Sequence, residues 1–310
     1  MKQKIFTFLL IAAAGLSACK KLEEQPTIKV FDDQQIQSYV AANSIAGLTK
    51  DENSGIYYKV LSQTTSGADS IKYSDEVLIV YTVKTLDGKY VSSDTIANHF
   101  YSYLGQLSFK NATTGFGYPI GLQLAIHDLL RYKGSMRLLI PSNLAYGVNG
   151  FGTGSVTNTN TRIGGNQSLD YYVNVIKDQN AYDDQVIKNY IAAKNLTGFV
   201  KDPLGYYYKI NTQPTGTIGE IKDFSNVTAT YQGYLLNDVA FDINSVTSAA
   251  TLVPFSLVDG VKDAMLKHVA TGTNITLLIP SSLGYGLPSS GVPPASILKF
   301  DFNVTGVTQP

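Results

Sequence analysis

Met136-Arg-Leu-Leu-Ile-Pro-Ser-Asn-Leu-Ala-Tyr-Gly147 returns later in the same chain as Asn274-Ile-Thr-Leu-Leu-Ile-Pro-Ser-Ser-Leu-Gly-Tyr-Gly286. Working outward from these two stretches, Gly55-Ile-Tyr-Tyr-Lys-Val60 matches Gly205-Tyr-Tyr-Tyr-Lys-Ile210, and Val77-Leu-Ile-Val-Tyr-Thr82 matches Val227-Thr-Ala-Thr-Tyr-Gln232. Further upstream, Phe31-Asp-Asp-Gln-Gln-Ile-Gln-Ser-Tyr-Val-Ala-Ala42 is repeated as Tyr182-Asp-Asp-Gln-Val-Ile-Lys-Asn-Tyr-Ile-Ala-Ala193. Four matches in one order indicate a duplicated unit of domain size. The 310 residues are about twice the ~150 that a single domain takes.

Within each copy the pattern predicts a helix, then strands, one more helix, and further strands. The opening helices carry apolar residues at Phe31, Ile36, Tyr39 and Val40 and at their counterparts, with Asp32 or Asp33 available as a cap. Ile56 to Leu61, Glu76 to Thr85 and Ser135 to Ile140 are rich in tyrosine and β-branched residues and read as strands. Between the last two, Leu122, Ile126, Leu129 and Leu130 share one helical face, as do Val261, Ala264, Met265 and His268 in the second copy. An antiparallel sheet wrapped around one helix is an α+β unit, and the expectation is two of them in tandem. The boundaries are placed at 30–178 and 179–310.

The start of the chain has its own logic. Lys2 and Lys4 precede an apolar run from Phe6 to Leu16, ending in Leu16-Ser-Ala-Cys19, which is the layout of a secretory signal peptide over 1–18. The last four residues resemble the lipobox of bacterial lipoproteins, and that resemblance implies a lipid anchor at Cys19 followed by a tether over 19–29. Lys20 stands where many enteric lipoproteins kept in the inner membrane have aspartate, so the expectation is a lipid-anchored envelope protein, in the outer membrane. With 24 Lys and Arg against 24 Asp and Glu the formal charge is zero, which argues against nucleic acid as a partner. His99, His127 and His268 lack metal-ligand spacing, and the glycines from Gly147 to Gly154 lack the Gly-Lys-Ser/Thr ending of a phosphate loop. No metal or cofactor is expected.

The second copy resembles the FKBP family of peptidyl-prolyl isomerases. Thr230-Tyr-Gln-Gly-Tyr-Leu-Leu-Asn-Asp-Val-Ala-Phe-Asp242 is similar to that family's tyrosine strand, hairpin and Phe-Asp pair. Leu257-Val258 is similar to its Val-Ile pair before the helix, and Gly291-Val-Pro-Pro-Ala-Ser-Ile-Leu-Lys-Phe-Asp-Phe302 to its final turn and strand. The resemblance implies two FKBP-like domains, each a half-barrel sheet clasping its helix. It implies a pocket lined by Tyr231, Phe241, Phe255, Val261 and Phe300, with Tyr285 and Asp242 at the rim and the Val258 N–H as a donor. The family commonly has tryptophan where Val261 stands, so a less aromatic floor is expected. In the first copy the matching positions are Tyr81, Leu122, Tyr146, Ile163 and Tyr171, and Val91-Ser92 or its neighbours replace the Phe-Asp pair. A degenerate first pocket follows, bordered by a long Gly- and Asn/Thr-rich loop from Val148 to Arg162.

The activity implied is cis–trans isomerisation of X-Pro bonds in proline-containing polypeptide clients, aiding the folding of exported proteins, with the second copy the active one. Two other readings stay open. The fold could serve as a non-catalytic chaperone or peptide-binding module, and the first copy could act as a spacer or a dimerisation surface.

Overall fold

The computed structural model describes residues 26–63, 70–110, 117–155, 160–243, 248–287 and 291–310. The expected signal peptide, Cys19 and most of the tether lie outside the described residues. Among the described residues no helix is long and apolar enough to cross a membrane.

The first unit opens with α1 (Ile28–Ala42) and continues with β1 (Thr49–Lys50), β2 (Tyr57–Ser62), β3 (Glu76–Thr85), β4 (Val91–Ser92) and β5 (His99–Tyr103). It then runs through α2 (Ile120–Leu129), β6 (Ser135–Ile140) and β7 (Leu169–Ile176). The second unit follows the same order: α3 (Gln179–Ala193), β8 (Val200–Lys201), β9 (Tyr207–Thr212), β10 (Asn226–Leu235), β11 (Ala240–Ile243), β12 (Ala250–Leu252), α4 (Asp259–His268), β13 (Asn274–Ile279) and β14 (Leu298–Thr308). Every pairing is antiparallel. The strand orders β1-β2-β6-β7-β3-β4 and β8-β9-β13-β14-β10-β11 are one topology used twice, with β5 and β12 as a second partner of β3 and β10.

Helices α2 and α4 have ten residues each, too short to hold by propensity alone. They are held by packing. Leu122, Ala125 and Ile126 on α2, and Val261, Ala264 and Met265 on α4, are almost fully buried against their own sheets. Each large apolar side chain so buried contributes roughly 1.5–3 kcal/mol. Close approach at the helix start depends on a glycine in both copies. A Cβ on Gly121 would stand 2.5 Å from Ile140 Cγ2, and one on Gly260 would stand 2.8 Å from Ile279 Cγ2.

The opening helices correct one expectation. α1 begins four residues before Asp32, after Thr27, and neither Asp32 nor Asp33 caps it. Asp178 caps α3, its carboxylate accepting from Ala181 N at 3.0 Å. Asp32 and Asp183 are instead fully buried, and each reaches the Pro-Ser turn of its own unit.

The two units touch through the stretch between β4 and β5. Ile96 packs against apolar clusters of the second unit, Asn237 Nδ2 donates to Asp94 Oδ2 at 2.5 Å, and His99 Nδ1 lies 2.6 Å from Pro294 O.

Candidate functional site

Strand register decides which side chains meet in the second unit. On β10, Tyr231 stands opposite Phe302 and Gly233 opposite Phe300, while Gly233 also faces Asp242 on β11. The glycine makes room for rings: a Cβ there would lie 2.9 Å from both Phe241 Cζ and Phe300 Cε1. Phe241 meets Phe300 edge to face at 5.5 Å and Tyr285 edge to face at 6.0 Å, and Phe300 stacks on Phe302 at 5.5 Å. Such pairs are favourable beyond the area they bury.

These rings border a hollow of about 130 Å³. That is below the 300–1,000 Å³ typical of drug-sized ligand sites, and it suits one compact side chain. Of the residues the resemblance singles out, Tyr231, Asp242, Val258, Val261, Tyr285 and Phe300 line it. Phe241 stands behind this wall, in contact with Phe300 and Tyr285. Leu252, Ser256, Leu257 and Phe302 line it as well, and sequence reasoning had passed over them.

Phe255 is misplaced by the sequence reading. Pro254 starts a short 3-10 turn, Pro254–Ser256, that turns Phe255 outward. Its side chain is 61% exposed, lies 5.1 Å from the Phe224 ring and sits under Lys262 Nζ. Leu252, at the end of β12, supplies apolar wall in its place.

The polar groups gather on one side. The Tyr231 hydroxyl donates to Asp242, 3.2 Å from Oδ2 and 3.3 Å from Oδ1. Partial burial raises the Tyr231 hydroxyl pKa, and the Asp242 charge adds to the rise. Burial likewise raises Tyr285, again with Asp242 contributing. Both phenols therefore keep their protons at neutral pH and can donate. Tyr285 is 42% exposed at the mouth, and among the described residues its hydroxyl has no hydrogen-bond partner. Val258 lines the hollow from the N-cap of α4, in an extended conformation with φ −60° and ψ 148°.

The first unit assembles the same positions differently. Val83 stands opposite Tyr171 and Ser92, where the second unit has Gly233 opposite Phe300 and Asp242. Phe100 pairs with Ile79 at the register where Ala250 pairs with Ala229. Tyr118 comes two residues before α2, as Leu257 does before α4. Its ring lies edge to face against both Tyr81, at 5.4 Å, and Phe100, at 5.3 Å. The Tyr81 hydroxyl meets the Tyr118 hydroxyl at 3.3 Å, where Tyr231 has a carboxylate. Tyr171 is buried, and Tyr146 stacks on Phe151 at 5.0 Å. Leu122 and Ile163 are buried in the same cluster. Burial raises the pKa of Tyr81, Tyr118, Tyr146 and Tyr171 alike. Tyr118 and Phe100 thus put two rings where the second unit has Leu257 and Ala250.

Over 119 residues the chain is 33% identical to the FKBP-type peptidyl-prolyl cis-trans isomerase FkpA of Buchnera aphidicola, a match covering 36% of this chain and 46% of that protein. The chain is an FKBP homologue. It spans about half the length of the curated relative it matches. No family model matches it. Among solved structures, FkpA from Escherichia coli is 28% identical over 42% of this chain and 61% of its own, with a TM-score of 0.37. The three FKBP domains of wheat FKBP73 are 15% identical over 86% of this FKBP homologue and 100% of their own chain, with a TM-score of 0.33. A peptidyl-prolyl cis-trans isomerase from Pseudomonas syringae pv. tomato is 22% identical over 43% and 98%, with a TM-score of 0.36.

The histidines have local roles in this FKBP homologue. His127 stacks on Tyr73 at 4.0 Å, and His268 stacks on Tyr208 at 4.0 Å with Nε2 3.0 Å from Asp202 Oδ2. Among the described residues no cluster of His, Cys, Asp and Glu could hold a metal ion.

Proposed function

We propose that the chain is a peptidyl-prolyl cis–trans isomerase acting through the hollow of its second unit. The observation that carries this reading is the convergence of Tyr231, Asp242, Val258, Val261, Tyr285 and Phe300 on one small apolar hollow. Rotation about an X-Pro bond faces a barrier of ~18–20 kcal/mol because the amide is conjugated, while the two isomers differ by only about 1 kcal/mol. No nucleophile is needed. A dry apolar site disfavours the charge-separated resonance form that gives the C–N bond its double-bond character. The proline ring enters over Val261 and against Phe300. The Tyr285 hydroxyl and the Val258 N–H hold the neighbouring carbonyls in a twisted geometry that resembles the transition state more than either isomer. Asp242 orients the Tyr231 hydroxyl through their hydrogen bond and abstracts no proton.

The first unit, with Tyr118 against Tyr81 and Ser92 in place of the acid, is not a catalyst in this reading. Cys19 carries a lipid that holds the protein to the bacterial envelope, where its substrates are proline-containing exported chains. A non-catalytic peptide-binding role is the second reading, favoured by Val261, because a small aliphatic floor grips a proline ring less tightly than an aromatic one.

The deciding measurement is isomerisation of a proline peptide by the full chain lacking residues 1–18. Tyr285→Ala and Phe300→Ala are each expected to lower kcat/KM by about tenfold or more. Peptide binding without isomerisation selects the second reading. Fatty-acid labelling is expected in the intact protein and absent in Cys19→Ala.

A further inference from the structure

The buried carboxylate of Asp183, on α3, lies far in sequence from the hollow but grips the turn that carries Tyr285. Its Oδ2 accepts from Ser281 N at 2.7 Å and from Ser281 Oγ at 2.6 Å, while its Oδ1 accepts from Gln179 Nε2 at 2.5 Å. Ser281 is the hub of that turn. Its carbonyl accepts from Gly284 N at 3.1 Å and from Gly286 N at 2.9 Å, the amides on either side of Tyr285. A second tie runs from Ser282 Oγ to Asn180 Oδ1 at 2.7 Å.

The first unit keeps a thinner version of this connection. Asp32 Oδ2 accepts from Ser142 Oγ at 2.8 Å and from Asn143 N at 3.3 Å, but its Oδ1 is buried with no partner, because Ile28 stands where α3 has Gln179. The fuller connection belongs to the unit whose hollow is open.

We propose that Asp183 is a positioning residue for the isomerase site: it fixes the Ser281–Leu283 turn to α3 and so holds the Tyr285 hydroxyl at the mouth of the hollow. This rests on the isomerase reading for its catalytic consequence, though not for its structural one. A buried carboxylate that accepts three hydrogen bonds fixes its partners firmly, since releasing any one leaves a desolvated polar atom unpaired. Misplacing a group at a reacting centre by ~1 Å can cost as much as ~100-fold in rate, so a turn loosened by Asp183→Ala acts on Tyr285 without touching substrate.

The test uses the chain lacking residues 1–18, with two independent readouts on Asp183→Ala, Asp183→Asn, Ser281→Ala and Asp32→Ala. Hydrogen exchange of the peptide spanning 281–287 is expected to quicken by about tenfold in Asp183→Ala while the β13 and β14 amides keep their protection. In the proline-peptide assay Asp183→Ala is expected to lower kcat by about tenfold with KM within about twofold, and Asp183→Asn, which keeps an acceptor, to recover to within about threefold of the parent. Ser281→Ala, which removes one of the three bonds and folds more readily, is expected to fall between them. Asp32→Ala makes the same cut in the first unit and is expected to leave both readouts unchanged. Unchanged exchange over 281–287 in Asp183→Ala overturns the proposal, as does an equal response to Asp32→Ala. A parent protein that binds no peptide and isomerises nothing sinks the isomerase reading, and the exchange experiment then still decides whether Asp183 holds the turn.

Discussion

Tyr81 and Tyr118 meet hydroxyl to hydroxyl at 3.3 Å, whereas Tyr231, the counterpart of Tyr81, meets the carboxylate of Asp242. One duplicated tyrosine thus has two environments: a ring-filled core in the first unit and the edge of a hollow in the second. Leu257 stands where the first unit has Tyr118, and Ala250 where it has Phe100.

Replacing Tyr118 by the residue its counterpart uses should therefore reopen space. Tyr118→Leu is expected to cost about 1–3 kcal/mol of stability, less than a truncation to alanine, because leucine refills part of the site. The variant is also expected to gain weak proline-peptide binding in the first unit. Peptide titration by NMR, followed at Tyr81 and Tyr171, checks this, and unchanged shifts at both would show that the filling ring is not what closes the unit.

Gly233 admits the rings of Phe241 and Phe300 on either side. Gly233→Ala puts a methyl 2.9 Å from each ring atom, so both must shift. Overpacking of this kind costs typically about 1–3 kcal/mol. The expected outcome is a lower thermal midpoint together with a several-fold loss of isomerase activity. Val83→Ala, at the equivalent place in the first unit, is expected to leave activity as it was.

Leu252 and Phe255 are three residues apart and have opposite fates. Phe255→Ala, outside the hollow, is expected to change stability by no more than about 0.5 kcal/mol and activity by less than about twofold. Leu252→Ala is expected to weaken peptide binding. Comparing KM for the two variants checks the assignment, and a larger effect from Phe255 would return it to the substrate surface.

The two acids at the start of α3 should respond to pH in opposite directions. Lys188 and Lys201 hydrogen-bond Asp184 and hold its pKa below the usual value, with Tyr207 assisting. Its contribution to stability is present above the unfolded carboxylate pKa, near 3.8, and is lost as pH falls toward the lowered folded pKa. Burial raises the pKa of Asp183, although the Ser281 and Gln179 bonds oppose the shift. The folded state then binds more protons than the unfolded one, so its contribution falls as pH rises through 3.8 toward the raised value. Urea unfolding between about pH 3 and pH 7 is expected to show a shallower pH dependence in Asp184→Asn and a steeper one in Asp183→Asn.

Local signals in the sequence were enough to find the strands, the paired Leu-Ile-Pro-Ser turns and the helices, because prolines, glycines and β-branched runs act through their immediate neighbours. The helix Gly121 and Gly260 seat, and the ring of Tyr285 at its turn, follow from that kind of pattern. What escaped depends on contacts between distant segments. Phe100 and Tyr118 are ordinary aromatics until the register of β5 on β3 brings their rings onto Tyr81. The family resemblance puts Phe255 in the hollow, whereas the turn that Pro254 begins carries its ring outward. Asp32 reads as a cap because Thr27 gives α1 no marked start, and nothing near Asp183 singles it out. Their actual partners lie 110 and 98 residues away.

Ile96 belongs to the first repeat by sequence and to the apolar clusters of the second by contact. A fragment cut where the repeats divide would bare a notch that this side chain fills, and would lose the Asp94 and His99 ties beside it. The first repeat is synthesised ahead of the second, so Ile96, Asp94 and His99 are already in place when their docking surface arrives. The earlier repeat would then serve the later one as a template in cis.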